Sequence, residues 1–159
     1  MKTKQLSIAY EEYASLNELP DRERELMQSA LEATELSYSP YSHFRVGAAV
    51  RLSDGTIVQG ANQENIAYPS GLCAERTALF SASAQYPQLA VTTIAIAGRD
   101  AEGKYVEAAP CGACRQVMAE YEQRYHNEIA VLCYLNGGSI RKIMGVKSLL
   151  PFGFEADLQ

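Results

Sequence analysis

The sequence predicts an α/β domain in which helices cover the faces of a sheet that is at least partly parallel. Three observations carry that prediction. Apolar runs of period two alternate with stretches of helical period, in the order hairpin, helix, strand, helix, strand, through the central part of the chain. The length of 159 residues suits one domain able to bury a core without disulfides. Apolar residues at 47% and charged residues at 21% are the composition of a folded chain rather than a disordered one.

The elements follow in turn. Leu6, Ile8 and Tyr10 alternate briefly as a strand would. Pro20 fits the turn before a helix or its first position, and Asp21, Glu23 and Glu25 suit the positive end of the helix dipole. Leu26, Ala30, Ala33 and Leu36 recur at helical spacing and are expected to face a core, with Ser39 and Pro40 ending the helix. "FRVGAAVRLSDGTIVQGAN" reads as a hairpin turning through Ser53, Asp54 and Gly55, and Gly47 with the alanines after it leaves room for a helix to pack closely.

A polar loop, "NQENIAYPSG", leads into "CAERTALFSASAQ", whose Ala78, Leu79 and Ala82 give a helical stripe. "AVTTIAIAG" reads as a buried strand. A short strand or loop around Tyr105 and Val106 precedes "PCGACRQVMAEYEQRY", with a stripe at Val117, Met118 and Tyr121. "EIAVLCYL" is a further apolar strand, ended by the glycines of "NGG".

Composition also excludes function classes. A formal charge of −5 is unlike the basic footprint of a duplex-binding protein or a polybasic membrane anchor. No stripe of basic and aromatic residues tracks a single strand, so a polynucleotide partner is not expected. No apolar run approaches the ~20 residues that cross a bilayer, and "MKTKQLSIAYEEY" lacks the apolar centre of a secretion signal. A cytoplasmic protein with no membrane partner is expected. In that reducing setting the four cysteines are thiols, metal ligands or core filler rather than a disulfide framework.

Cys111 and Cys114, in "PCGACRQ", taken alone fit a redox couple, a structural metal clip or half of a catalytic metal site. Cys73, in "GLCAER", adds to them. Both junctions present cysteine at a helix N-terminus, where the dipole favours thiolate, and Cys111 and Cys114 can share one helix face. Cys73 is a candidate third ligand. Three ligands leave a tetrahedral position open, and Glu75 lies where it can approach a water there. Cys133, inside an apolar strand, reads as a buried small hydrophobe. His43 and His126 read as helix-end or surface residues.

With a ligand, one residue and Glu, then Pro-Cys-x-x-Cys, the chain resembles the zinc-dependent nucleoside deaminases. "SPYSHFRVGAAV", "NQENIAYPSGLCAERTA", "PCGACRQVMAE" and "LLPFGF" are similar to successive motifs of the small cytidine deaminases that act on free nucleosides. The likeness runs from about Ser39 to Phe154. It implies a three-layer α/β/α cytidine-deaminase-like fold around a mixed, partly parallel five-stranded sheet. Residues 21–159 would form the catalytic domain, and residues 1–20 an extension of unassigned role. "AYPSGLC" departs from many relatives at Pro69 and Ser70.

The same resemblance implies one zinc ion per subunit on Cys73, Cys111 and Cys114, and hydrolysis of cytidine and 2′-deoxycytidine to the uridine forms with loss of ammonia. Glu75 would carry protons from the activated water to the ring nitrogen and the leaving group. Arg76 matches the arginine that compensates the charge of the thiolates. Asn62 and Glu64 match the pair that binds ribose hydroxyls, Phe44 an aromatic against the nucleoside, and Ala74 a backbone contact to the base. Phe154 and Tyr68 match residues contributed across subunits in a homotetramer with shared active sites. Two other readings remain at this stage: deamination of another cytosine nucleoside, such as a blasticidin-type antibiotic, and a non-catalytic nucleoside-binding protein stapled by zinc.

Overall fold

The computed structural model describes residues 1–155; the last residues of the expected domain, 156–159, lie outside the described part. The strands are β1 (Glu11–Tyr13), β2 (Arg45–Leu52), β3 (Ile57–Ala61), β4 (Val91–Arg99), β5 (Tyr105–Val106), β6 (Ala130–Tyr134) and β7 (Ile140–Met144). The long helices are α1 (Asp21–Ala33), α2 (Ala74–Gln85) and α3 (Gly112–Tyr125). The strands form one sheet in the order β1-β7-β6-β4-β2-β3, with β5 paired to β4. β4 and β6 run parallel, joined by the crossover through α3; the other pairs are antiparallel.

Two buried clusters separate the layers. On one face Ala48, Val50, Ile94, Ile96, Val131 and Cys133 pack against Ala78, Leu79 and Ala82 of α2 and Met118 of α3. On the other, Ala49, Ala95, Ala97 and Leu132 meet Leu26, Met27 and Ala30 of α1. The alternation of partners along β2, β4 and β6 is the period-two pleat expressed as two cores. Each fully buried Ile or Leu contributes about 1.5–3 kcal/mol by removal from water.

Small residues set the spacing of the layers. A Cβ on Gly47 would lie 2.2 Å from the Ala30 carbonyl of α1, and one on Gly60 would lie 2.3 Å from the Ala78 nitrogen of α2. Both helices therefore press backbone to backbone on the sheet, and α2, which Cys73 precedes and whose first turn carries Glu75, is seated by Gly60.

The sheet has seven strands against the five expected, and three of the seven were weakly signalled or unsignalled in the sequence. β7 was hidden in "SIRKIM", where Ile140 and Ile143 are buried while Arg141, Lys142 and Met144 dilute the apolar signal. β5 is two residues long. β1 begins after the alternating Leu6, Ile8 and Tyr10, which are exposed; the pairing falls instead on Glu11, Glu12 and Tyr13, opposite Lys142, Arg141 and Ile140. Leu36 also departs from expectation. The chain tightens into a 3-10 turn over Thr34–Leu36, which carries Leu36 off the core stripe and leaves it 60% exposed.

Candidate active site

Cys73 is the residue before α2 and Cys111 the residue before α3, each in extended conformation, and Cys114 lies in the first turn of α3. The two helices are locked side by side by the Tyr121 hydroxyl, which donates to the Leu79 carbonyl at 2.9 Å. The docking of α2 on α3 brings three sulfurs from two parts of the chain within 4.8 Å of one another. Cys73 Sγ is 3.9 Å from Cys111 Sγ, and Cys111 Sγ is 3.5 Å from Cys114 Sγ. Thiolates on one tetrahedral zinc, each at about 2.3 Å, stand about 3.8 Å apart, so the cluster fits that ion.

The electrostatics agree with the geometry. The Cys73 thiol is drawn down to about 5, first by its hydrogen bond with Cys114 and then by those with Arg76 and Cys111. Cys114 is pushed up by donating to Cys73 and by burial. Three sulfurs this close cannot all ionise without a cation among them, which is the demand a metal site makes. Arg76 Nη2 donates to Cys73 Sγ at 3.5 Å, and its Nε is buried without a partner among the described residues. Arg76 in turn is held further into its charged form by Cys73.

Glu75 is only 4% exposed, and burial raises its carboxyl above the ordinary range, with the Cys73 charge adding to the effect. It lines a cavity of about 300 Å³ together with Cys73, Cys111, Ala74, Phe44 and Asn62. This volume is at the small end of the range for small-molecule sites. Glu64 and Tyr68 line an adjoining cleft with Asn62, Cys73 and Arg76. Phe154 lies elsewhere: it is 81% exposed, on a cleft along the far side of α3 beside Ala119 and Glu122.

Asn62 and Glu64 also build the loop that presents Phe44. Asn62 Oδ1 accepts from Ser37 Oγ at 2.6 Å and from the Val46 nitrogen at 2.8 Å, and Nδ2 donates to the Phe44 carbonyl at 3.0 Å. One amide N–H is left for a ligand. Glu64 Oε2 accepts from the Tyr41 and Ser42 nitrogens at 2.9 and 3.3 Å, and Oε1 accepts from the Ser42 hydroxyl. Ser42 stood inside a motif already singled out, but a lone serine in a polar loop carries no signal of its own. Glu107, Ala108 and Ala109, which complete the cavity wall, were likewise missed. Cys133 is buried and is pushed up to about 12 by that burial. His126 closes α3 in the left-handed conformation, and His43 has φ 55° in the loop before Phe44.

Comparison with known proteins agrees with this arrangement. The cytidine and deoxycytidylate deaminase zinc-binding region, as a sequence family, matches residues 20–127. The chain is 40% identical over 140 residues to a cytidine deaminase of Halalkalibacterium halodurans, covering 83% of this chain and 93% of that protein. A crystal structure of cytidine deaminase from Burkholderia pseudomallei superposes with a TM-score of 0.71 at 39% identity, covering 82% of this chain and 97% of the other. The Mycobacterium tuberculosis cytidine deaminase structure gives 0.63 at 30% identity, with 83% and 96% covered.

Proposed function

The chain belongs to the cytidine and deoxycytidylate deaminase zinc-binding family, and from that premise we propose that it hydrolyses cytidine and 2′-deoxycytidine to the uridine forms with release of ammonia. The observation that carries this reading is the convergence of Cys73, Cys111 and Cys114 beside a cavity that Glu75 also lines. Cys73, Cys111 and Cys114 would hold zinc, which would supply the Lewis acidity that makes a water reactive toward the pyrimidine C4. The remaining work falls to the chain. Glu75 takes a proton from the attacking water and delivers it to the ring nitrogen, then takes the second proton from the new C4 hydroxyl and gives it to the amine, which leaves as ammonia while the C4 carbonyl forms. A buried carboxyl serves both directions because its two protonation states lie closer in energy than those of a carboxyl in water.

Arg76 offsets the third thiolate, whose charge would otherwise leave the cage anionic and the water less acidic. Phe44 packs on the nucleoside and the Ala74 backbone faces the base. Asn62, through its remaining amide N–H, and Glu64 meet the ribose hydroxyls; their engagement by the loop supports a fixed rather than an adaptable sugar site. Residues 21–159 form the catalytic unit.

The protein works as a homotetramer in which Phe154 and Tyr68 reach a neighbouring subunit's site. This is supported by aromatic side chains that stand exposed among the described residues, Tyr68 at 75%, Phe152 at 98% and Phe154 at 81%. Among the described residues no helix is long and apolar enough to cross a membrane. The free thiols suit a reducing compartment, which supports a cytoplasmic role in pyrimidine salvage. The test is the loss of cytidine absorbance with time, measured for the zinc-loaded protein, after chelator treatment, and with a blasticidin-type antibiotic in place of cytidine. Chelator-sensitive turnover of cytidine is expected. No turnover, or turnover of the antibiotic alone, overturns the reading.

A further inference from the structure

α3 holds more than two of the three sulfurs. Arg115, half-buried and next to Cys114, donates from Nε to the Pro110 carbonyl at 2.8 Å and from Nη1 to the Leu149 carbonyl at 2.9 Å. Pro110 immediately precedes Cys111. One planar fork therefore ties the loop that presents a metal ligand to the start of the C-terminal arm, 39 positions later than Pro110 in sequence (149 − 110).

That arm is itself fixed at two further points on the same helix. Glu122 Oε1 accepts from the Val146 nitrogen at 2.9 Å and from the Ile129 nitrogen at 2.6 Å, and Val146 is fully buried. Gln116 pairs with the Phe154 backbone, Nε2 donating to the carbonyl at 2.8 Å and Oε1 accepting from the nitrogen at 3.3 Å. The segment from Val146 to Leu149 is thus a rigid post, and Arg115 braces the ligand loop against it.

We propose that Arg115 is a positioning residue for the metal site, bracing the Pro110–Cys111 loop against the post at Leu149 so that Cys111 Sγ stays within reach of the other two sulfurs. Cys111 is the exposed member of the three, and its loop lacks a side-chain cap at the start of α3. It is the ligand most in need of an external brace. A lysine cannot serve, because a single ammonium does not span two carbonyls in the guanidinium's fixed geometry. The inference rests on zinc occupying the three thiols.

The test is the rate at which zinc passes from the zinc-loaded protein to a chromogenic chelator. Arg115→Met and Arg115→Lys are each expected to release zinc at least about fivefold faster than the parent, in line with the effect of groups that orient metal ligands, at unchanged far-ultraviolet circular dichroism. Gln116→Ala, which loses the contact with the Phe154 backbone but keeps Arg115 and Leu149, is expected to release zinc at the parental rate. Parental release from either Arg115 variant overturns the proposal; if Arg115→Met does not fold, Arg115→Lys decides alone. Acceleration in Gln116→Ala equal to that of Arg115→Met also overturns it, by assigning the brace to the arm as a whole. A parent that purifies without zinc overturns the metal assignment instead.

Discussion

Arg76 Nη2 reaches Cys73 Sγ at 3.5 Å from the first turn of the helix that Cys73 opens, so one short piece of chain supplies both a metal ligand and the cation that tempers it. Arg76→Gln is expected to lower turnover about 10–100-fold, the usual cost of losing a partner of a metal ligand. Arg76→Lys should recover only part, since an ammonium lacks the forked geometry. Steady-state rates at matched zinc content check this, and parental turnover in Arg76→Gln would refute it.

Glu75 is buried in the wall that Cys73 and Cys111 share. Glu75→Gln keeps the shape and removes the proton carrier, so turnover should fall by at least ~100-fold while one zinc per chain remains bound. Metal analysis alongside the rate separates a lost proton shuttle from a lost site. Turnover within a few-fold of the parent would sink the role given to this residue.

Gly60 carries the seating of α2. A Cβ there would meet the Ala78 nitrogen at 2.3 Å and the Ala74 carbonyl at 2.7 Å, both backbone atoms that cannot swing aside. Gly60→Ala is expected to cost about 1–3 kcal/mol, as overpacking does, and to weaken zinc retention because Cys73 moves with the helix. Thermal unfolding and chelator challenge read the two effects.

Much of this was legible because the chemistry is local. Helix N-termini at Cys73 and Cys111 were fixed by the apolar stripes that follow them, and the buried strands by their alternation. What escaped was set by partners distant in sequence. β7 gains its place from pairing with β6 and β1, although Arg141 and Lys142 break its apolar pattern. Ser42 matters only because Glu64 folds back on it, and Arg115 only because Leu149 arrives beside it. Neither relation leaves a periodic trace.

The Glu64 carboxyl is held below its ordinary range, first by the Ser42 hydroxyl and then by the Tyr41 and Ser42 backbone N–H groups. A depressed folded value means that the anchoring of the Phe44 loop is complete above the ordinary carboxylate range and is lost only as pH falls through the lower value. Ser42→Ala removes the leading donor and moves that loss to higher pH. The acid limb of the kcat/KM profile for cytidine is expected to shift upward, with the alkaline limb unmoved. Superimposable acid limbs would show that Glu64 does not govern the loop.

Glu122 poses the opposite case. Burial raises its carboxyl above the ordinary range, so its ionised form is disfavoured in the fold, and the corresponding stability is present at acid pH and lost as pH rises through the raised value. Yet its Oε1 is the acceptor for both Ile129 and Val146, whose residues are fully buried. The two contributions come apart on substitution. Glu122→Gln keeps an acceptor oxygen and removes the charge, so at neutral pH it should match the parent or exceed it, the difference closing as the medium is acidified. Glu122→Ala strands two donors and should lose about 1–3 kcal/mol for each. Denaturant midpoints of the three proteins at two pH values decide the matter: if Glu122→Gln falls as far as Glu122→Ala at neutral pH, the charge rather than the acceptor holds the C-terminal post to α3.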